Sequence, residues 1–91
     1  MNVTVNSKVS DWISGQAKQV RDMYNTKCTE AVNNDLSTWR DVGRGNHDFR
    51  ASGDYRVVAT KTGNNFNVAA IYRHGTRGGK VKVCGQTVLN Y

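Results

Sequence analysis

Apolar residues recur with two different periods in this chain, and the change between the periods restricts its fold more than any other feature. From position 9 to position 31 they lie three or four residues apart, which aligns them in one stripe along a helix. After Gly45 apolar and polar residues alternate, as in a half-buried β-strand. The helical stripe consists of Val9, Ile13, Ala17, Val20, Tyr24, Cys28 and Ala31. We therefore predict an α+β fold.

Local signals set the bounds of the predicted elements. Alternating β-branched residues at 2–6 predict a short N-terminal strand, and Ser7 or Ser10 can cap the long helix that follows. Asp35 can cap a shorter second helix that Gly43 ends. Strands are predicted over residues 47–51, 55–61, 66–73 and 80–84, with a short one over 87–89. The 91 residues allow a single domain, residues 1–91, with one long and one short helix packed on a twisted antiparallel sheet of about four strands.

The formal net charge of +6 arises entirely after Asp35. That part carries nine lysines and arginines against three aspartates, whereas the residues up to Asp35 carry four charges of each sign. This segregation favours a polyanionic partner, either a nucleic acid or an anionic membrane surface, over a basic surface kept only for solubility. No apolar run approaches the ~18–20 residues that a spanning helix needs, so no membrane span is predicted.

The two cysteines leave two interpretations open. Cys28 lies on the helical stripe and Cys84 at the end of a predicted strand. They are either reduced core thiols or one disulfide, which would stabilise the fold by about 4 kcal/mol in the chain-entropy model. No metal site or other cofactor is predicted, because there is no Cys-x-x-Cys pair and the two histidines are distant in sequence.

The cations, histidines and tyrosines after Gly45 suit metal-independent cleavage of RNA. In that reaction a general base removes the 2′-hydroxyl proton, cations stabilise the phosphorane, and a general acid protonates the leaving 5′-oxygen. Histidine can make either proton transfer, arginine binds two phosphate oxygens at once, and aromatic rings stack on unpaired bases. The candidate catalytic residues are His74, His47, Arg56 and Arg73, and the candidate RNA-binding residues are Arg50, Arg77, Lys80 and Tyr72.

Strand alternation predicts which of these residues share a surface. If Phe66 faces the helices, Tyr72 is expected to face them as well. Arg56, Asn67 and Arg73 would then lie together on the uncovered side. The sequence thus predicts a basic sheet face opposite the helices.

Residues 48–77 (DFRASGDYRVVATKTGNNFNVAAIYRHGTR) resemble the sheet of RelE-type toxin ribonucleases, in the wider group of barnase, EndoU, colicin and RelE-like nucleases. Residues 48–50, 55–58 and 71–77 hold the places of that family's basic strand, its Tyr-Arg-aliphatic-aliphatic strand and its final basic cluster. The resemblance implies phosphate contacts for Arg50 and Arg56, with Arg73 or Arg77 as the later arginine, and proton transfer by His74.

The resemblance also implies partners and a place of action. RNA, as tRNA or mRNA, would be the substrate, and an acidic antitoxin or immunity protein would neutralise the toxin. Such a toxin acts in the cytoplasm, and the cysteines and the high asparagine content fit a domain delivered from a secreted precursor.

Our leading hypothesis is a small basic endoribonuclease toxin that cleaves RNA by metal-independent acid–base transphosphorylation. Two alternatives stay open. One is a non-catalytic module that binds nucleic acid or a protein, such as a phage- or plasmid-coded inhibitor. The other is a small secreted structural domain held by a Cys28–Cys84 disulfide.

Overall fold

The computed structural model describes residues 1–91 as two helices packed on one face of an open six-stranded sheet. The helices are α1 (Ser7–Ser14) and α2 (Lys18–Val32). The strands are β1 (Asn2–Val5), β2 (Arg40–Gly43), β3 (Asn46–Ser52), β4 (Tyr55–Thr62), β5 (Asn65–His74) and β6 (Lys80–Gly85), with a 3-10 turn at Thr76–Gly78. The predicted α+β class and the short N-terminal strand are confirmed. Neither helix is long and apolar enough to cross a membrane.

The sheet is larger than predicted, and its strands are not all antiparallel. Its order is β1-β5-β4-β3-β2, with β6 also paired to β5. β1 runs parallel to β5 from Asn65 to Val68, and β6 runs antiparallel to it from Ala70 to His74. The ten-residue β5 is long enough for two short strands to lie end to end along one edge. The prediction of an antiparallel sheet of about four strands was therefore wrong in the strand number and in one pairing.

The helices also differ from the prediction. The apolar stripe is interrupted between α1 and α2, where Gly15 caps α1 and Ala17 has extended backbone angles. No helix follows Asp35, because its carboxylate accepts hydrogen bonds from the Ser37 amide and hydroxyl and so forms an Asx turn. The chain then enters β2. The stripe nevertheless faces the sheet, since Val9, Tyr24 and other members are buried.

The main core lies between the helices and the sheet. Phe66 is fully buried at its centre, and the Trp39 ring packs edge-on against Phe66 and Phe49, with both centroid distances 4.9 Å. A smaller cluster covers part of the opposite face, where Val88 packs on Tyr72 and Val58. Residues 86–91, which we call the closing segment, are held there partly by a hydrogen bond from the Val88 amide to the Tyr72 hydroxyl. We call this face, turned away from the helices, the open face.

A β-bulge between β4 and β5 reverses the alternation along β5. Ala59 pairs with Val68 and Val58 with Ala70, so one residue of β5 has no partner. Phe66 therefore faces the helices, whereas Tyr72 lies on the open face. Arg73 pairs with Tyr55 and shares the helix-facing side with it. The predicted orientations of Tyr72 and Arg73 were wrong because the bulge inserts one residue.

Both cysteines are free, half-buried thiols, so the candidate disulfide is not formed. Burial raises the pKa of each thiol, and the hydrogen bond from the Tyr24 side chain only partly offsets this for Cys28. A raised pKa reduces the thiolate fraction and hence the reactivity of the sulfur. Cys28 and Cys84 therefore contribute to the fold by packing against the main core.

Gly85 permits the close approach of β6 to β5. Its φ is +93°, and an added Cβ would lie 2.3 Å from the Ala69 carbonyl oxygen. Gly85→Ala is therefore expected to lower the free energy of unfolding by about 2–5 kcal/mol, through left-handed strain and overpacking. Gly53→Ala is the control, because Gly53 also has a positive φ but nothing within 4 Å. Urea unfolding of both variants measures the difference, and equal losses would contradict the close approach.

Candidate active site on the open face

Charged and titratable side chains from five strands, β2 to β6, meet on the open face. Directly opposed residues of antiparallel strands share a face, and the opposed pairs here are Arg40 with Asp48, Arg50 with Arg56, Arg56 with Tyr72 and His74 with Lys80. Tyr91 of the closing segment packs on Tyr72 with a ring-centroid distance of 4.8 Å. We call Arg40, Asp48, Arg50, Arg56, His74, Lys80 and Tyr91 the basic cluster.

Asp48 is the only carboxylate of the basic cluster. Its side chain is 1% exposed and accepts two hydrogen bonds from Arg40, with Nε–Oδ1 and Nη2–Oδ2 distances of 2.9 and 2.7 Å. Burial acts to raise the pKa of Asp48, but the bonds from Arg40 and Tyr91 outweigh it and hold the pKa below its ordinary value. Asp48 is therefore ionised at neutral pH and can only accept hydrogen bonds.

This charge state determines which nitrogen of His74 carries the proton. The Tyr91 hydroxyl donates to Asp48 Oδ2 at 2.7 Å, and burial together with the Asp48 carboxylate raises the pKa of Tyr91. The Tyr91 oxygen lies 2.9 Å from His74 Nε2 and must accept there, because its one proton already points to Asp48. His74 therefore carries its proton on Nε2, and Nδ1 has a free lone pair.

The surroundings of His74 keep its imidazole neutral. Burial lowers its pKa below the ordinary value of 6.5, and the positive charges of Arg56 and Lys80 lower it further against the opposing effect of Asp48. A neutral imidazole with a free Nδ1 can accept a proton at neutral pH. The chain Asp48–Tyr91–His74 would then stabilise the resulting imidazolium through Nε2, since a carboxylate stands at its far end.

Arg56 holds an unused donor. Its Nη1 atom is buried and has no hydrogen-bond partner. Arg50 lies directly opposite on β3, and like charges in that arrangement repel each other. An unpaired guanidinium nitrogen in a repulsive pair is costly unless an anion lies between the two cations. This arrangement favours an anion between Arg50 and Arg56, on the same sheet face as His74.

A cleft of about 300 Å³ extends this anion site to the edge of the sheet. β2 pairs with β3 only as far as Asp48, so the rest of that edge is uncovered. Arg40, Arg50 and Arg56 line the cleft from the sheet, and Lys27 reaches it from α2. The Lys27 ammonium is held by the Thr38 carbonyl oxygen at 2.8 Å. The cleft thus offers a path of positive charge long enough for more than one phosphate.

The structure brings some of the predicted site residues together and separates others. His74, Arg56, Arg50 and Lys80 meet in the basic cluster, where the Lys80 ammonium lies 4.3 Å from the centre of the Tyr91 ring. The others do not join them: Arg77 is exposed in the 3-10 turn, Arg73 lies on the other face, and Tyr72 is buried beneath Val88. His47 pairs with Ala59 and packs against Phe66 on the helix-facing side.

Sequence reasoning missed Arg40, Asp48 and Tyr91. Gly43 and Gly45, both with positive φ, flank the β2–β3 turn and were the signal that could have placed Arg40 opposite Asp48. Tyr91 lies 43 residues from Asp48 in sequence, and no local pattern connects them. The carboxylate and the tyrosine that orient the histidine were therefore found only in the structure.

The proton position on His74 can be tested directly. Long-range ¹H–¹⁵N spectra are expected to show the proton on Nε2, with slow exchange because that proton is bonded to Tyr91. Tyr91→Phe removes the acceptor, so the Nε2 proton of His74 should exchange rapidly with water and its resonance should no longer be observed. Tyr55→Phe is the control, since Tyr55 lies on the helix-facing side and packs on Trp12. A proton on Nδ1 in the wild type would contradict the assignment.

Comparisons with protein-family models, with curated proteins and with solved structures find no match to this chain. Function has therefore to be inferred from the chemistry of the basic cluster.

Proposed function

We propose that the protein is an endoribonuclease that cleaves RNA by acid–base transphosphorylation on the open face. The observation that carries this proposal is that a neutral histidine with a free Nδ1 shares a sheet face with Arg56, which has an unpaired guanidinium nitrogen and whose charge lowers the pKa of that histidine. A general base beside an anion site is what attack of a 2′-hydroxyl on its own phosphodiester requires.

In the proposed reaction His74 Nδ1 takes the proton of the 2′-hydroxyl. The 2′-oxygen then forms a bond to phosphorus, and the bond from phosphorus to the 5′-oxygen breaks. The products are a 2′,3′-cyclic phosphate and a free 5′-hydroxyl. Tyr91 and Asp48 act as positioning residues, because they touch His74 or one another rather than the substrate.

Arg56 and Arg50 would bind the scissile phosphate. A guanidinium can donate two parallel hydrogen bonds to phosphate oxygens, and its charge opposes the negative charge that develops on the phosphorane. Arg40 is not available for this role in the same way, because its guanidinium already donates two hydrogen bonds to Asp48. The adjacent phosphates would follow the cleft toward Lys27. An acidic antitoxin or immunity protein that covers this charged surface would inhibit the enzyme.

Lys80 is the candidate donor of the proton to the leaving 5′-oxygen, since its ammonium stands beside His74 and over Tyr91. Lys80→Ala is expected to slow RNA cleavage by about a hundredfold. It should hardly affect a uridine 3′-(p-nitrophenyl phosphate) substrate, whose leaving group needs no proton. Lys61→Ala is the control, because Lys61 is exposed near the end of β4 and does not belong to the basic cluster. Equal losses on both substrates would assign Lys80 to phosphate binding.

The proposal is tested by incubating tRNA and mRNA with the pure protein in EDTA, with and without ribosomes, and by mapping the product ends. Cyclic phosphate and 5′-hydroxyl ends are expected. If RNA binds with a strong salt dependence and no product forms at micromolar protein, the enzyme proposal fails and the binding module remains.

A further inference from the structure

A second cavity opens on the open face, on the other side of the closing segment from His74. Its volume is about 390 Å³, within the range of small-molecule sites. Strands β3, β4 and β5 supply Asn46, Thr60 and Asn67, and the closing segment supplies Gln86 and Asn90. Nothing in the proposed cleavage chemistry uses these residues.

The floor of this cavity is rigid. Asn46 is 2% exposed, its Nδ2 donates to the Leu89 carbonyl oxygen and its Oδ1 accepts from the Thr60 hydroxyl, both at 2.9 Å. These bonds fix the amide of Asn46 and hold the closing segment on the sheet. The cavity is therefore formed before any ligand arrives, which reduces the entropic cost of binding.

The rim of the cavity presents unused hydrogen-bonding groups. The Asn67 Oδ1 accepts from the Thr4 hydroxyl at 3.1 Å, which leaves its Nδ2 free. The side-chain amides of Gln86 and Asn90 line the cavity and have no hydrogen-bond partner in the chain. Arg44 adds a single cation at the rim. Apolar surface comes from Ala69 and Val88.

These groups match a nucleobase. Each neutral side-chain amide offers one donor and one acceptor to the edge of a base, and the apolar surface of Ala69 and Val88 can contact its face. Amide side chains recognise base edges with two hydrogen bonds. A phosphate would instead require several cations, as the cleft beside Arg56 provides. Asn46 and Arg50 are four residues apart on β3, hence about 13 Å, so an RNA strand bound at the phosphate site can extend to this cavity.

We propose that this cavity binds a nucleobase of the RNA strand held at the scissile phosphate and gives the protein its base preference. The inference rests on the proposed RNA substrate, but it concerns binding and not the cleavage step. It assigns recognition to Asn67 and Gln86 and positioning of the closing segment to Asn46.

The test measures binding of four 2′-O-methyl oligonucleotides, each of a single base, by fluorescence anisotropy, because these RNAs cannot be cleaved. The wild type is expected to bind one base about tenfold more tightly than the others. Asn67→Ala and Gln86→Ala should each reduce this preference to about threefold or less. Gln19→Ala, an exposed amide on α2, is the matched control and should leave the preference unchanged.

The outcomes separate this inference from the proposed reaction. A base preference that both variants weaken supports the cavity even if the protein cleaves no RNA. Equal affinity of the wild type for all four bases overturns the inference, and so does a preference that neither variant alters, whether or not cleavage occurs. Thermal unfolding of Asn67→Ala checks that the loss of its bond to Thr4 has not unfolded β1, and Gln86→Ala makes no such contact.

Discussion

Replacing Arg56 by alanine is expected to reduce RNA cleavage by about a hundredfold to a thousandfold, the usual loss when one donor to a developing negative charge is removed. The reason is the position of its guanidinium, whose buried Nη1 has no partner within the protein and whose charge lowers the pKa of the neutral His74. The measurement is the initial rate of cleavage of a defined single-stranded RNA with wild-type and variant protein at saturating substrate.

Arg73→Ala is the matched control for this loss. Arg73 pairs with Tyr55 on the other face and is exposed, so its removal should leave the rate unchanged. The fold of Arg56→Ala is checked by urea unfolding, because the charge of Arg56 also helps to hold the pKa of Asp48 below its ordinary value. A rate that falls equally in both variants would mean that general charge attraction, and not the Arg56 site, is responsible.

His74→Gln is expected to lower cleavage by about a hundredfold to ten-thousandfold, because glutamine can donate a hydrogen bond to Tyr91 but cannot take a proton from the 2′-hydroxyl. RNA affinity should be retained, since the phosphate-binding arginines are unchanged. The comparison uses single-turnover rates together with dissociation constants. A large loss of affinity with an unchanged rate constant would place His74 in binding instead of proton transfer.

The environment of His74 also predicts how the rate of RNA cleavage changes with pH. His74 acts as a base only when it is neutral, and burial with the nearby cations places its pKa below 6.5. The wild-type kcat/KM should therefore rise with pH through that lowered pKa, and its acid limb should lie below pH 6.5. In Arg56→Ala one of the charges that depress the pKa is gone, so the residual activity should show an acid limb shifted to higher pH. An unshifted limb would indicate that His74 is not the titrating group.

The candidate site was only partly predictable from the sequence. His74, Arg56, Arg50 and Lys80 were identified because their residue types suit RNA cleavage and because they fall on or beside alternating strands. His47 and Arg73 had equally suitable types, but their faces depend on pairing and on the β-bulge. Side-chain chemistry can be read from a local pattern, whereas the face of a strand shifts when one residue is inserted.

The same division holds for the rest of the molecule. Local periodicity determined the α+β class, the strands β3, β4 and β5 and the inward stripe of the helices, because periods of two and 3.6 residues arise from backbone geometry alone. Tertiary structure decided the parallel pairing of β1, the mixed sheet and the meeting of Asp48, Tyr91 and His74. These contacts join residues 17 to 63 positions apart, and their free energy depends on the whole core that brings them together. The sequence by itself therefore determined a basic sheet backed by helices, and only the tertiary structure made one part of that sheet a site.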